Sequence, residues 1–265
     1  AVGMYALYGN TTASNNTAVG KAALETNTTG SENTAVGKEA LYTNNGSNNS
    51  ALGVTALYAN TTGAQNTAVG QSSLKANTTG SNNTAVGRVA LFTNTTGDSN
   101  VAVGYNALLA NTTAEGNHAF GTWSLYSNTT GAHNTAVGRS TLFNNTTGSY
   151  NVAIGRNALS GNTTADNNTA IGNICLENVT SGNSNTAIGH ATMRQATTGH
   201  TNVAIGRIAL YSLQDGNHNV AIGNQALYSG TSYTHNIAIG YRAQYNQTNG
   251  ENNIAIGSET LLDCA

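Results

Sequence analysis

Along residues 151–155 the chain reads Asn151-Val152-Ala153-Ile154-Gly155, a polar residue followed by alternating larger and smaller apolar positions. The same phrase returns through the whole chain, its glycine falling at Gly3, Gly20, Gly37, Gly53, Gly70, Gly87, Gly104, Gly121, Gly138, Gly155, Gly172, Gly189, Gly206, Gly223, Gly240 and Gly257. A fixed period of 17 residues over sixteen copies predicts a solenoid, one supersecondary unit per copy. The alternation predicts a short strand, with one parity facing inward. The larger residues (Thr84 and Val86 in one copy, Val152 and Ile154 in another) are read as the core face. The intervening Ala is then read as facing outward.

After the glycine comes a second apolar run, as in Arg88-Val89-Ala90-Leu91, whose Leu slot is filled by Met193 and Gln244 in two copies. This predicts a second short strand with Leu inward. Asn-Thr-Thr-Gly then closes the coil with turn chemistry. The step from Gly37 to Gly53 is 16 residues, and the deletion falls in Asn44-Asn45-Gly46. A residue lost there and nowhere else marks that segment as the loop, because a strand would lose its register. A helical repeat is excluded: no amphipathic run of ten fits, and Gly, Thr and Asn are poor helix formers. The predicted fold is therefore all-β, a parallel β-solenoid of about sixteen 17-residue coils with two short strands each. It forms a single repeat domain over residues 1–265, with loops that diversify from about residue 172.

Two columns carry physical arguments. An Asn precedes the first strand at Asn16, Asn33, Asn49, Asn66, Asn83, Asn100, Asn117, Asn134, Asn151, Asn168, Asn185, Asn202, Asn219, Asn236 and Asn253. An amide carries both donor and acceptor, so stacked copies predict a structural Asn ladder. The Ala column, unbroken from Ala1 to Ala255, has small apolar residues where solvent exposure would have accumulated varied polar ones. Read as outward, it predicts that another chain packs against it. Few aliphatic side chains per coil set against the chain entropy point to self-association as well.

Composition narrows the function. Charged residues make up 8% of the chain and the formal net charge is -2, so bulk electrostatics suggest no nucleic-acid partner. There is no apolar run long enough to insert in a membrane. The chain opens mid-phrase on Ala1-Val2-Gly3 and is read as a piece of a longer one. Cys175 and Cys264, five coils apart, are too distant to pair within the chain.

The phrases Asn-Val-Ala-Ile-Gly and Asn-Ile-Ala-Ile-Gly resemble the head repeats of trimeric autotransporter (YadA-like) adhesins. The longer form Asn-Thr-Ala-Val-Gly-x-x-Ala-Leu-x-x-Asn-Thr-Thr-Gly is similar to repeats of bacteriophage tail fibres and bacterial surface proteins. The resemblance implies a left-handed β-roll, three chains side by side, and attachment at a bacterial cell surface or virion.

No paired acids, nucleophile–His arrangement or phosphate-binding Gly phrase is present, so no catalytic residue, metal or cofactor is assigned. Acids such as Asp98, Asp166, Asp215 and Asp263 are scattered. His218 and His235 share a slot on successive coils, which suggests a metal only weakly; solvated loop residues are the first reading. The slot after Gly holds Lys21, Lys38, Arg88, Arg139, Arg156 and Arg207, a solvated edge first and an anionic-glycan grip second. An aromatic column follows the Leu: Tyr8, Tyr42, Tyr58, Phe92, Tyr126, Phe143, Tyr211, Tyr228 and Tyr245. Packing against a loop or neighbouring chain is its first reading, sugar stacking its second.

Asn-x-Thr/Ser sequons at Asn10, Asn27, Asn60, Asn77, Asn94, Asn111, Asn128, Asn145, Asn162, Asn178 and Asn246 are candidate glycosylation sites. Good turn chemistry explains them equally well. The expected function is a non-enzymatic, extracellular adhesive or structural rod, homo-oligomeric and binding a host-surface protein or glycan. The alternatives are a self-assembling surface filament subunit and an ice-binding solenoid presenting Thr.

Overall fold

A computed structural model of the chain describes residues 1–246 and 250–262. Asp263 and Cys264 lie outside the described residues, as do the second and third positions of the Asn246 sequon. The chain forms two compact units, residues 1–133 and 134–265. Each is a parallel β-solenoid.

The first unit contains strands β1 (Thr17–Val19), β2 (Thr34–Val36), β3 (Ser50–Leu52), β4 (Thr67–Val69), β5 (Thr84–Val86), β6 (Val101–Val103) and β7 (His118–Phe120). Successive strands pair in parallel, each residue beside its counterpart one coil away: Ala18 with Ala35, Ala85 with Ala102. The second unit contains β8 (Thr135–Val137), β9 (Val152–Ile154), β10 (Thr169–Ile171), β11 (Thr186–Ile188), β12 (Val203–Ile205), β13 (Val220–Ile222), β14 (Ile237–Ile239) and β15 (Ile254–Ile256). Its register is equally strict, with Ala153, Ala170, Ala187 and Ala204 in one line.

The shortened loop leaves that register untouched. Thr34 pairs with Ser50 and Val36 with Leu52 despite the missing residue. The deletion is absorbed where Asn44 Nδ2 donates to the Gly46 carbonyl two residues on (2.7 Å), whereas Asn60 reaches Gly63 three residues on (2.8 Å). Asn45 then occupies the lost space, its Oδ1 accepting from the Thr28 N–H at 2.8 Å.

The inside and outside of the strand are the reverse of the expectation. The strand Ala is the buried residue in every coil, as at Ala85, Ala153 and Ala204, and the flanking Thr, Val and Ile face outward. The interior explains the inversion. It already holds the Leu column (Leu24, Leu91, Leu159), a second column of small residues (Ala23, Ala90, Ala158) and the Asn side chains described below. Against that filling the strand has room for a methyl group. A larger residue would overpack it.

The Leu column is buried as the pattern implies, yet it does not lie on a second strand. Each coil has one strand, and the segment after Gly is a run of turns. The backbone there alternates in handedness: φ is 51° at Val89 and 52° at Leu91, 50° at Ile174 and 49° at Leu176. β-Branched residues disfavour the left-handed region, so nothing in the composition announces it. The stack enforces it, because these residues still bond from coil to coil. The Val89 N–H donates to the Gln71 carbonyl at 3.0 Å, and the Leu91 N–H to the Ala107 carbonyl at 2.9 Å.

The phrase glycine is required by space and conformation together. Gly70 has φ +127°, and a Cβ there would lie 2.6 Å from the Gly87 carbonyl oxygen. Successive coils touch backbone to backbone at this corner.

Candidate interaction surfaces

The Asn residues before each strand form a continuous side-chain-to-backbone ladder in each unit. Asn33 donates its backbone N–H to Asn16 Oδ1 (2.9 Å), Asn83 to Asn66 (3.0 Å) and Asn117 to Asn100 (3.0 Å). The second unit repeats this from Asn151 on Asn134 (3.0 Å) to Asn253 on Asn236 (2.9 Å). The amide nitrogen is used too: Asn66 Nδ2 donates to the Gly80 carbonyl at 2.8 Å.

That same Gly80 carbonyl accepts from Asn77 Nδ2, also at 2.8 Å. Asn77 belongs to the second Asn column, which the sequence pattern presents as loop. It is a second ladder, amide to amide: Asn77 donates to Asn60 Oδ1 (2.8 Å), Asn94 to Asn77 (2.9 Å) and Asn111 to Asn94 (2.8 Å). Asn27, Asn60, Asn77, Asn94, Asn111, Asn128, Asn145 and Asn162 are all fully buried. Buried amides hydrogen-bonded from coil to coil are structural, and a fully enclosed Nδ2 is inaccessible to glycan attachment. This corrects the glycosylation reading at those positions. Asn10 is half-buried, its Nδ2 donating to the Ala13 carbonyl (3.0 Å), while Asn178 and Asn246 are exposed.

In later coils the second ladder gives way to Val179, Ala196 and Leu213, all fully buried. One slot therefore holds Asn in some coils and an aliphatic in others.

With the Ala column inside, the outward sheet face becomes the surface of interest. In the second unit Ile154, Ile188, Ile205 and Ile222 each expose more than a third of their surface, and Ile256 exposes 66%. Val152, Val203, Val220 and Ile237 run parallel two residues away, half-buried against their neighbours. Strict register turns the Ile residues into an aliphatic column, beside a second column that holds Thr135, Thr169 and Thr186 in its earlier coils and is aliphatic throughout from β12 to β15. In the first unit the equivalent columns are Thr and Val in four of seven strands, and over β2 to β4 they line a shallow depression of about 160 Å³ bounded by Val36, Leu52 and Val69.

No family model matches the chain, and neither does any curated protein.

The charged and aromatic columns occupy the turn segments. Tyr211, Tyr228 and Tyr245 stack face to face, with centroids 5.4 and 5.0 Å apart. Tyr42 and Tyr58 stack likewise at 5.1 Å. The Arg242 guanidinium lies 5.1 Å from the Tyr241 ring centre and 5.0 Å from that of Tyr245, and its Nε donates to Gln225 Oε1 at 2.8 Å. Arg194 donates to Glu177 across 2.7 Å, and this bond raises the guanidinium pKa further.

His218 and His235 also stack, at 4.9 Å and 5° between planes. Parallel rings aim their nitrogens alongside one another instead of converging on a common point, so the pair is a surface stack and a poor chelate. Among the described residues no group of three His, Cys, Asp or Glu side chains gathers where it could hold a metal ion. Cys175 occupies the inner small-residue column, its Sγ donating to the Ala187 carbonyl at 3.2 Å, and burial pushes its pKa up to about 12. Such a thiol is inert, because its thiolate is disfavoured.

Proposed function

We propose that this chain is a non-enzymatic, extracellular segment of an adhesin head or surface fibre. In this reading copies of the chain associate side by side and present their turn faces to a partner. The observation that carries the reading is the outward aliphatic face of β12 to β15, typified by Val203 and Ile205. Contiguous, regular apolar surface of this kind marks an interface. A second copy fits it well, since the same coil spacing on both sides lets the columns interdigitate over many coils. The resemblance of the repeat phrase to trimeric adhesin heads favours three copies around one axis, a closed arrangement of like chains.

Light scattering coupled to size exclusion tests this association. The expected mass is three times the 27.0 kDa of one chain. A mass of one chain at micromolar concentration would remove the reading.

One observation favours a second reading. Four of the seven outward pairs in the first unit join Thr to Val: Thr17 with Val19, Thr34 with Val36, Thr67 with Val69 and Thr84 with Val86. Hydroxyl and methyl groups ranked on a sheet face suit the ordering of water at an ice surface. Thr and Val of one strand point the same way, unlike the adjacent Thr pair of the loops. A thermal-hysteresis assay on the isolated protein decides it, and activity there would displace the association reading.

A further inference from the structure

We infer that the turn face of the second unit between Arg207 and Tyr245 is a binding site for an acidic oligosaccharide. Three columns run there over three successive coils, and Arg242 bridges them at one end, its guanidinium against both Tyr241 and Tyr245. The slot after Gly begins with Arg207, the left-handed slot carries Gln225 and Arg242, and the slot after Leu carries Tyr211, Tyr228 and Tyr245. Backbone bonds fix the stacking of successive coils on this face. The Gln225 N–H donates to the Arg207 carbonyl at 3.1 Å, and the Ser212 and Ser229 N–H groups donate to the Tyr228 and Tyr245 carbonyls, both at 3.1 Å.

The chemistry of this surface selects the ligand. Arg207 is exposed, and no carboxylate lies within ion-pair distance of it among the described residues. Arg242 is held in place by Gln225 and two tyrosine rings without being neutralised. One oriented guanidinium at Arg242 and an exposed one at Arg207 match carboxylate or sulfate, which guanidinium groups bind through paired hydrogen bonds. The tyrosines are stacked on one another, so their faces are turned inward to the stack; Arg194 engages the Tyr211 hydroxyl, and the edges and hydroxyls of Tyr228 and Tyr245 remain for a ligand. Nucleobases bind aromatic faces, and an intact stack denies them those faces. A hydroxyl-rich chain bearing acidic groups uses edges, hydroxyls, amide and guanidinium together. This inference rests on the surface-binding half of the function proposed above, and it supplies the class of ligand.

Calorimetric titration of the whole chain tests it with four probes of matched length: an oligohexuronate, a sulfated oligosaccharide, a neutral oligosaccharide and a single-stranded oligonucleotide. At least one acidic sugar is expected to bind, and the preference between the two identifies the anion. The neutral sugar and the oligonucleotide are expected to bind more weakly. The double variant Arg207→Gln/Arg242→Gln is expected to weaken acidic-sugar binding by at least about tenfold. Tyr228→Leu, which opens the stack at its middle, is expected to do the same, and Arg88→Gln in the first unit to leave binding unchanged. Failure of both acidic probes to bind, undiminished binding by the double variant, or preference for the oligonucleotide would overturn the site. Light scattering on the same samples separates the two claims, because a trimer that binds no acidic sugar contradicts the ligand class and leaves association standing.

Discussion

Asn162 donates its side-chain amide to Asn145 Oδ1 across 2.6 Å, while its own buried Oδ1 accepts no hydrogen bond. The next coil explains this: the slot that would supply a donor holds Val179. An amide ladder running in one direction must end on an unpaired acceptor, wherever it stops. The cost of that end is therefore met once, whatever the ladder's length.

A pair of substitutions follows from this. Asn94→Val removes the donor to Asn77 Oδ1 and creates a second unpaired buried acceptor, since Gly97 still accepts from Asn83 Nδ2. Its expected destabilisation is about 1–3 kcal/mol. Asn162→Val moves the existing end back by one coil and is expected to cost about 1 kcal/mol less than Asn94→Val. Urea denaturation of both variants measures the difference, and equal losses would refute the ladder as the source.

Gly70→Ala places a Cβ 2.6 Å from a neighbouring backbone oxygen at a φ of +127°. No side chain can move aside there, because the obstacle is the next coil's main chain. The variant is expected to lose more than about 3 kcal/mol, beyond the usual glycine-to-alanine range, or to fail to fold. Ala22→Gly, at a left-handed position that already accepts a side chain (φ 59°), is expected to change stability by less than about 1 kcal/mol. Thermal melts of the two compare them directly.

The buried Cys175 thiol gives a pH dependence with a defined sign. Its folded pKa, near 12, lies above the ordinary value of 9.0. The folded state thus holds the proton more tightly than the unfolded state. This contribution to stability is complete below about pH 9 and declines as pH rises from 9 towards 12. Cys175→Ala, which restores the residue type of Ala158 one coil earlier, is expected to show a shallower alkaline loss than the natural chain. Denaturation midpoints measured at pH 8 and pH 10.5 check this, and parallel losses would contradict it.

The period, the strand position, the loop deletion and the inward Leu were legible because each repeats in phase and each has one physical explanation. The facing of the strand was not. Alternation shows that Ala153 and Ile154 point in opposite directions, and hydrophobicity favours Ile inside, but the width of the interior decides. That width depends on the buried Asn77 column, which resembles loop because Asn-Thr-Thr-Gly is turn chemistry and a sequon at once. A signal was present. The same slot becomes Val179, Ala196 and Leu213 in later copies, and a position exchanging Asn for aliphatics is a buried one. The left-handed backbone at Val89 and Ile174 had no such signal, because β-branched residues argue for strand. The turn face at Arg207 and Tyr228 was visible as two separate columns. Only the fold shows an arginine of this face, Arg242, lying against the Tyr column at Tyr245.

The placement of Ala inside and Ile outside is tested most directly by the relative stabilities of Ala204→Leu and Ile205→Leu, neighbours on one strand. Both variants keep the surface apolar, so association is not the variable. With Ala204 fully buried and Ile205 outward, Ala204→Leu is expected to cost about 3 kcal/mol or more, and Ile205→Leu to stay within about 0.5 kcal/mol. A tolerated Ala204→Leu beside a destabilising Ile205→Leu would contradict the account.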